Sequence, residues 1–209
     1  MIGLVDIVQQ LTDWLNENVC PSILLLEPDD DFQDESYSKA KRVHPKAYPL
    51  FASWANRSAS VNIPGAPCIV VGVLNGKDVL KDSTRTLNMQ LQLISWNPGQ
   101  YGTDTLKPIK DEKAPFGVRY VTDVDQQTYE RSQDGWKDSY NFMDIVLREL
   151  EKQEFVSGTR IKLKDGSIEF GHYRDDTGPI DLYPYWINYI RFQIECGNNP
   201  LPREYADFL

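Results

Sequence analysis

Leu182-Tyr183-Pro184-Tyr185-Trp186-Ile187-Asn188-Tyr189-Ile190-Arg191-Phe192 is the stretch on which the reading of this chain turns. Side chains alternate between the two faces of a strand. Trp186, Ile190, Phe192 and Ile194 therefore share one face, and Tyr183, Tyr185, Ile187 and Tyr189 share the other. Large side chains on both faces mean a strand buried on both sides or one that lies at a subunit contact. Just upstream, Arg160-Ile161-Lys162-Leu163-Lys164 alternates, and Asp165-Gly166 leads into Ser167-Ile168-Glu169-Phe170. That pattern predicts a hairpin with a two-residue turn. Before it, Trp136, Tyr140, Met143, Leu147 and Leu150 keep the 4-3-4-3 spacing of one helix face. They predict a helix over 136–152, with Asp134 as its N-cap.

Toward the N-terminus, Leu87, Met89, Leu91 and Leu93 alternate with Asn88, Gln90 and Gln92, the cleanest strand signal in the chain. The β-branched run Pro67-Cys68-Ile69-Val70-Val71-Gly72-Val73-Leu74 predicts a buried strand before it, and Asn75-Gly76 reads as the turn between the two. Leu4, Ile7, Val8, Leu11 and Leu15 line one side of a helix over 4–18. Pro21 lies beyond its end, and Ser22–Leu26 reads as a short strand.

Between these elements lie two irregular excursions. The first carries Glu27, Asp29, Asp30, Asp31, Asp34 and Glu35, then scattered prolines, with room for one short helix around Tyr48 to Asn56. In the second, Val118 to Val124 could pair as a ribbon. Their Pro, Gly and charge content leaves little apolar area to offset ordering entropy, so both are expected to protrude and to be the least ordered parts. The order α-β-β-β-α-β-β-β predicts an α+β fold: a mostly antiparallel sheet with two helices packed on one face, plus two long loop excursions. One domain over 1–209 is expected, with a core of about 1–26, 67–96 and 136–196 and excursions of about 27–66 and 97–134.

Composition narrows the function. At 209 residues, 41% hydrophobic and 25% charged, the chain is long enough to bury a sizeable core. No run approaches the roughly 18 apolar residues of a membrane helix, and the N-terminus lacks the basic start and cleavage site of a signal peptide. Cys20, Cys68 and Cys196 are isolated and odd in number, which fits reduced, buried thiols in a cytosolic protein. A net charge of −9 argues against a phosphate-gripping surface, while an acidic wall still lets DNA pass.

Catalytic signatures are weak. Asp176-Thr177-Gly178 matches the tripeptide of aspartic proteases, yet Arg174, Asp175 and Pro179 surround it and mark a turn. His44 and His172 have no neighbouring ligand at metal spacing. There is no nucleophile elbow, phosphate loop or zinc motif, so neither an enzyme nor a cofactor is expected. The acidic stretch could hold a divalent cation, although it lacks the glycine and alternation of an EF-hand and reads better as a solvated loop. Tyr183, Tyr185 and Trp186 could stack bases, but packing explains them with fewer demands.

The Pro67-Cys68-Ile69-Val70-Val71 strand, Met89-Gln90-Leu91-Gln92-Leu93-Ile94, the helix Tyr140–Leu150 and the late Tyr183-Pro184-Tyr185-Trp186 strand occur in an order that resembles the tail terminator, or tail completion, proteins of long-tailed bacteriophages and prophages. The likeness covers roughly 1–26, 67–96 and 136–196. It implies a structural virion protein that forms a ring, often of six, on the last ring of tail tube protein. Such a ring stops tube growth and offers a surface to the head-completion protein, while DNA passes without specific binding. The implied location is the virion tail or neck, reached by assembly in the host cytoplasm. Tyr101, Tyr120 and Tyr129 are the expected subunit or tube contacts, since aromatics are enriched at interface hot spots; packing onto their own sheet is the competing reading. Asp29, Asp30 and Asp31 are the expected lumen acids. The alternative function is a small acidic cytosolic adaptor or immunity-type binding protein.

Overall fold

The computed structural model describes residues 3–28, 41–50, 65–79, 83–97, 106–113, 117–122, 135–153, 162–164, 168–175, 178–179 and 185–197. Among these the chain is α+β. Helix α1 spans Leu4–Trp14, and α2 spans Gly135–Glu151. The main sheet has six strands: β3 (Lys46–Pro49), β4 (Cys68–Val79), β5 (Thr84–Trp96), β12 (Tyr185–Gly197), and the short β8 (Lys162–Leu163) and β9 (Glu169–His172), both of which pair with β12. Every pairing in it is antiparallel except that of β3 with β4. Three two-stranded ribbons complete the described elements: β1 (Leu25–Leu26) with β2 (Arg42–Val43), β6 (Leu106–Lys110) with β7 (Val118–Thr122), and β10 (Arg174–Asp175) with β11 (Gly178–Pro179).

Helix α1 starts where the Asp6 carboxylate accepts the Gly3 N–H at 2.9 Å, which satisfies one of the unpaired donors of the first turn. Its apolar stripe buries Ile7, Val8, Leu11 and Leu15, whereas Leu4 stays half exposed. The expected single helix to residue 18 changes pitch: Leu15–Val19 is a π turn and Cys20–Ser22 a 3₁₀ turn. The wider turn carries Asn16, whose side chain accepts the Ala47 N–H at 2.8 Å and donates to the Ala47 carbonyl at 3.1 Å. Asn16 thus stands in for a neighbouring strand along the outer edge of β3. The Ser22–Leu26 strand shrinks to Leu25–Leu26: Ser22 belongs to the 3₁₀ turn around Pro21, and Ile23 and Leu24 pair with no described strand.

Packing overrides local preference at four further places. Asn75-Gly76 is not a turn: β4 runs through it to Val79, with a register shift between Val73 and Asn75. A Cβ on Gly76 would come to 2.5 Å from Leu87 Cδ2, so the glycine is there to let the facing leucine lie over the strand. Tyr48 belongs to no helix; Lys46–Pro49 leaves the first excursion to form the parallel strand beside β4. The strands expected to form an Asp165-Gly166 hairpin do not pair with each other. Both lie along β12, and from Leu163 to Glu169 the edge advances six residues while β12 advances three, from Ile194 to Arg191. Asp165-Gly166 itself and the Asp134 cap lie outside the described residues.

The fourth correction concerns α2. Trp136 and Tyr140 are exposed, and the buried face is Ser139, Phe142, Met143, Val146, Leu147 and Leu150. The helix is turned so that Ser139 meets the buried Asn188 of β12. Asn188 Nδ2 donates to the Ser139 carbonyl at 3.1 Å and to its Oγ at 2.8 Å, and Asn188 Oδ1 lies 3.2 Å from His172 Nδ1. Gly135 starts the helix against β5: a Cβ there would sit 2.6 Å from the Asn97 carbonyl oxygen. The main core lies between the two helices and one face of the sheet, where Ile69, Val71, Met89, Leu91, Ile190, Phe192 and Ile194 meet Ile7, Leu11, Phe142 and Leu150.

Candidate functional site

Among the described residues both helices lie on one face of the sheet, and the other face carries no helix. The face without helices divides in two. At one end Ala66, Cys68, Val70, Ile94 and Trp96 form a second apolar cluster with Leu26, Tyr48, Tyr185 and Ile187 against it. Beyond it the face turns polar, because the alternation of β5 places Asn88, Gln90 and Gln92 opposite its core leucines. Residues directly opposed across an antiparallel pair share a face. Gln90 therefore stands beside Arg191, and Arg191 beside Glu169.

Those three residues form a fixed group with Tyr189. Arg191 Nε donates to Gln90 Oε1 at 2.8 Å, and Arg191 Nη1 lies 3.5 Å from Glu169 Oε1. The Tyr189 hydroxyl donates to the same Glu169 oxygen at 3.1 Å, and the guanidinium lies 4.5 Å from the Tyr189 ring centre. Desolvation, with the hydrogen bond to Glu169 added, pushes the Tyr189 hydroxyl above its usual pKa. Farther along, Asn88 donates to Asn75, and Lys77, Thr86 and Glu195 occupy one row on this face. Such a surface presents hydrogen-bonding groups and tethered charges.

The nucleophile candidates are placed for packing. Cys20, Cys68 and Cys196 are all buried and free. Burial pushes the Cys20 thiol up to about 11 and the Cys68 thiol up to about 12, so neither is a thiolate near neutral pH. His44 Nδ1 lies 2.7 Å from the Ile23 carbonyl, where it acts as donor and ties the second ribbon strand to the turn after α1. His172 is bound to Asn188. No cluster of His, Cys, Asp or Glu among the described residues could hold a metal ion. No helix among them is long and apolar enough to cross a membrane.

The acidic segment leaves and re-enters the fold at one point. The Glu27 N–H donates to the Lys41 carbonyl at 2.8 Å, and the two side chains come within 3.7 Å. Asp29, Asp30 and Asp31 lie outside the described residues, as do Tyr101, Tyr129, Asp176 and Thr177. Tyr120 falls in β7 opposite Pro108, in a ribbon that pairs with itself and not with the main sheet; its side chain is outside the description. The ribbon covers Val118–Thr122 of the segment expected to pair, and its partner, Leu106–Lys110, carried no clear signal in the sequence.

The Gln90–Arg191–Glu169–Tyr189 group was within reach of sequence reading only in part. The alternation over 87–93 marks which residues leave the core, but nothing local says that Arg191 and Glu169 become neighbours. No protein-family model matches this chain, and no curated protein matches it.

Proposed function

We propose that this chain is a structural virion protein of a long-tailed phage or prophage, which caps the tail tube, ends its elongation and presents the surface for head joining. The observation that carries this reading is the asymmetry of the sheet. One face is covered by α1 and α2, the other carries an apolar cluster at one end and polar groups beyond it, and its two margins differ: β3 and the outer half of β4 on one side, β8 and β9 on the other. A part with two unlike edges associates head to tail, and head-to-tail contacts close into rings when the rotation permits. Such a ring has two chemically distinct faces, one for the tail tube protein and one for the head-completion protein.

The family resemblance of residues 1–26, 67–96 and 136–196 supplies the tail assignment, and the α+β order with both helices on one face agrees with it. The net charge of −9 suits a channel that repels the DNA backbone as it passes. In this reading Asp29, Asp30 and Asp31 line the lumen and Tyr101, Tyr120 and Tyr129 meet the tube or a neighbouring subunit. Neither catalysis nor a cofactor has a part in it.

Light scattering over a range of concentrations, followed by negative-stain microscopy with polymerised tail tube protein, tests the proposal. Ring-sized particles seated on tube ends are the expected result. A strict monomer that ignores tubes and binds one basic partner would replace it with the adaptor reading.

A further inference from the structure

Strand β4 is only half covered. Strand β3 pairs with Cys68 to Val71, and beyond that point no described strand lies against it. Leu74, Asn75, Gly76, Lys77 and Asp78 are all exposed. The contrast within one strand is sharp, because Asn16 closes even the outer edge of β3 while nothing described closes the outer half of β4. At the other margin β9 pairs with β12 on one side and with no described strand on the other, leaving Glu169 and Phe170 exposed. An open row of backbone donors and acceptors is a template for another strand.

We infer that β9 of a second copy of this chain adds antiparallel to the outer half of β4, with Lys77 opposite Glu169 of the partner subunit and Gly76 opposite Phe170 of the partner subunit. The inference rests on the self-assembly proposed above and names the contact that would build the ring. Three observations support this occupant over others.

The first is strand sense. From β4 through β5 and β12 to β9 the direction reverses at each of the antiparallel pairings, so β4 and β9 run opposite ways. Two copies set side by side in the same orientation therefore bring these edges together antiparallel, and the sheet continues across the junction.

The second is facing. Lys77 pairs with Thr86, and Glu169 with Arg191, which puts both on the face without helices. Gly76 pairs with Leu87, and Phe170 with Ile190, which puts both on the helix-covered face. The register therefore matches a cation with a carboxylate that is 60% exposed. It also lays a phenyl ring, 53% exposed in the single chain, across a glycine and the leucine beside it. Aromatic side chains commonly cover edge glycines in this way.

The third is the lysine itself. A lysine on an edge strand deters pairing between like edges. A second β4 would bring another Lys77, whereas β9 brings Glu169. The same residue that keeps β4 from pairing with itself favours the unlike edge, which makes the contact head to tail.

Cysteine cross-linking tests the register. Lys77→Cys and Glu169→Cys change exposed side chains, and the native cysteines are buried and slow to oxidise. Circular dichroism checks that each variant stays folded. Under mild oxidation the protein carrying both changes should give a ladder of covalent oligomers on a non-reducing gel, and a mixture of the two single variants should stop at the mixed dimer. Independently, Lys77→Glu or Glu169→Lys alone should weaken self-association about two- to fivefold, the range for one cross-strand charge pair, and the two together should restore it. A Lys77→Cys protein that dimerises with itself as readily as it does with the Glu169→Cys protein would overturn the inference in favour of a two-fold contact. A double-cysteine protein that stays monomeric at every concentration would overturn it outright. If the ladder forms but the unsubstituted protein ignores tubes, the edge contact stands and the tail function falls. If tubes are capped while no ladder forms, the edge contact falls alone.

Discussion

The even and odd residues of β12 make a controlled comparison, since they share one strand, one set of neighbours and one stretch of sequence. On the helix-covered face Asn188, Ile190, Phe192, Ile194 and Cys196 are all buried. On the face without helices Tyr185, Ile187, Tyr189 and Arg191 are half-buried, and Gln193 and Glu195 are exposed. The aromatic content of the two faces is similar, so hydrophobicity along the strand does not separate them. What separates them is the partner above. One face received two helices; on the other, Tyr185 and Ile187 join the second apolar cluster, and Tyr189 and Arg191 join a tethered network with Glu169 and Gln90. Helix packing seals the first face, and the second keeps polar groups partly open to solvent.

Substitutions should respect that division. Ile190→Ala on the covered face, at a fully buried position, should cost about 2–5 kcal/mol of unfolding free energy in denaturant titration. A loss below about 1 kcal/mol would mean that the helix–sheet contact is much looser than described. Asn188→Leu, on the same face, removes the partner of Ser139 and His172, and should cost about 1–3 kcal/mol through the buried groups left unpaired. Equal stability of this variant would show that the Ser139 oxygens find another donor or that water enters.

Smaller effects are expected at the margin and on the uncovered face. Asn16→Ala loses the two hydrogen bonds to Ala47 and should lower stability by about 1–2 kcal/mol. Hydrogen exchange at the Ala47 amide should rise first, and an unchanged rate there would argue that Asn16 does not hold β3. Arg191→Ala should change stability by less than about 1 kcal/mol, because its ion pair with Glu169 is open to solvent. The same variant should weaken binding to whatever the uncovered face recognises. A large loss of stability with binding intact would reverse the roles assigned to the two faces.

How far the sequence could be read follows the same line. Period-two alternation over 87–93 and helical periodicity over 4–15 and 140–150 report burial directly, so α1, α2 and β5 were legible. Asn75-Gly76 and the Asp165-Gly166 flanks misled because turn propensity is local, whereas these segments are held by long neighbours on one side. Trp136 and Tyr140 fit the helix stripe as well as the true core residues do; the rotation that exposes them brings Phe142 and Val146 into the core and Ser139 to Asn188. Lys46–Pro49 was too short and too polar to announce a strand, and its place depends on Asn16, thirty-one residues away from Ala47 in sequence. The recognition group shares this difficulty, since Gln90 and Arg191 meet across 101 residues of chain.

The central claim, that this chain ends tail tube growth, is tested most directly by the length distribution of tubes. Cognate tail tube protein polymerised from its initiator, with and without this chain, should be measured by electron microscopy. Tubes should stop elongating once the chain is added, each with a ring at its growing end, while tubes without it continue to lengthen. Tubes that lengthen equally in both samples, with bare ends, would contradict the account.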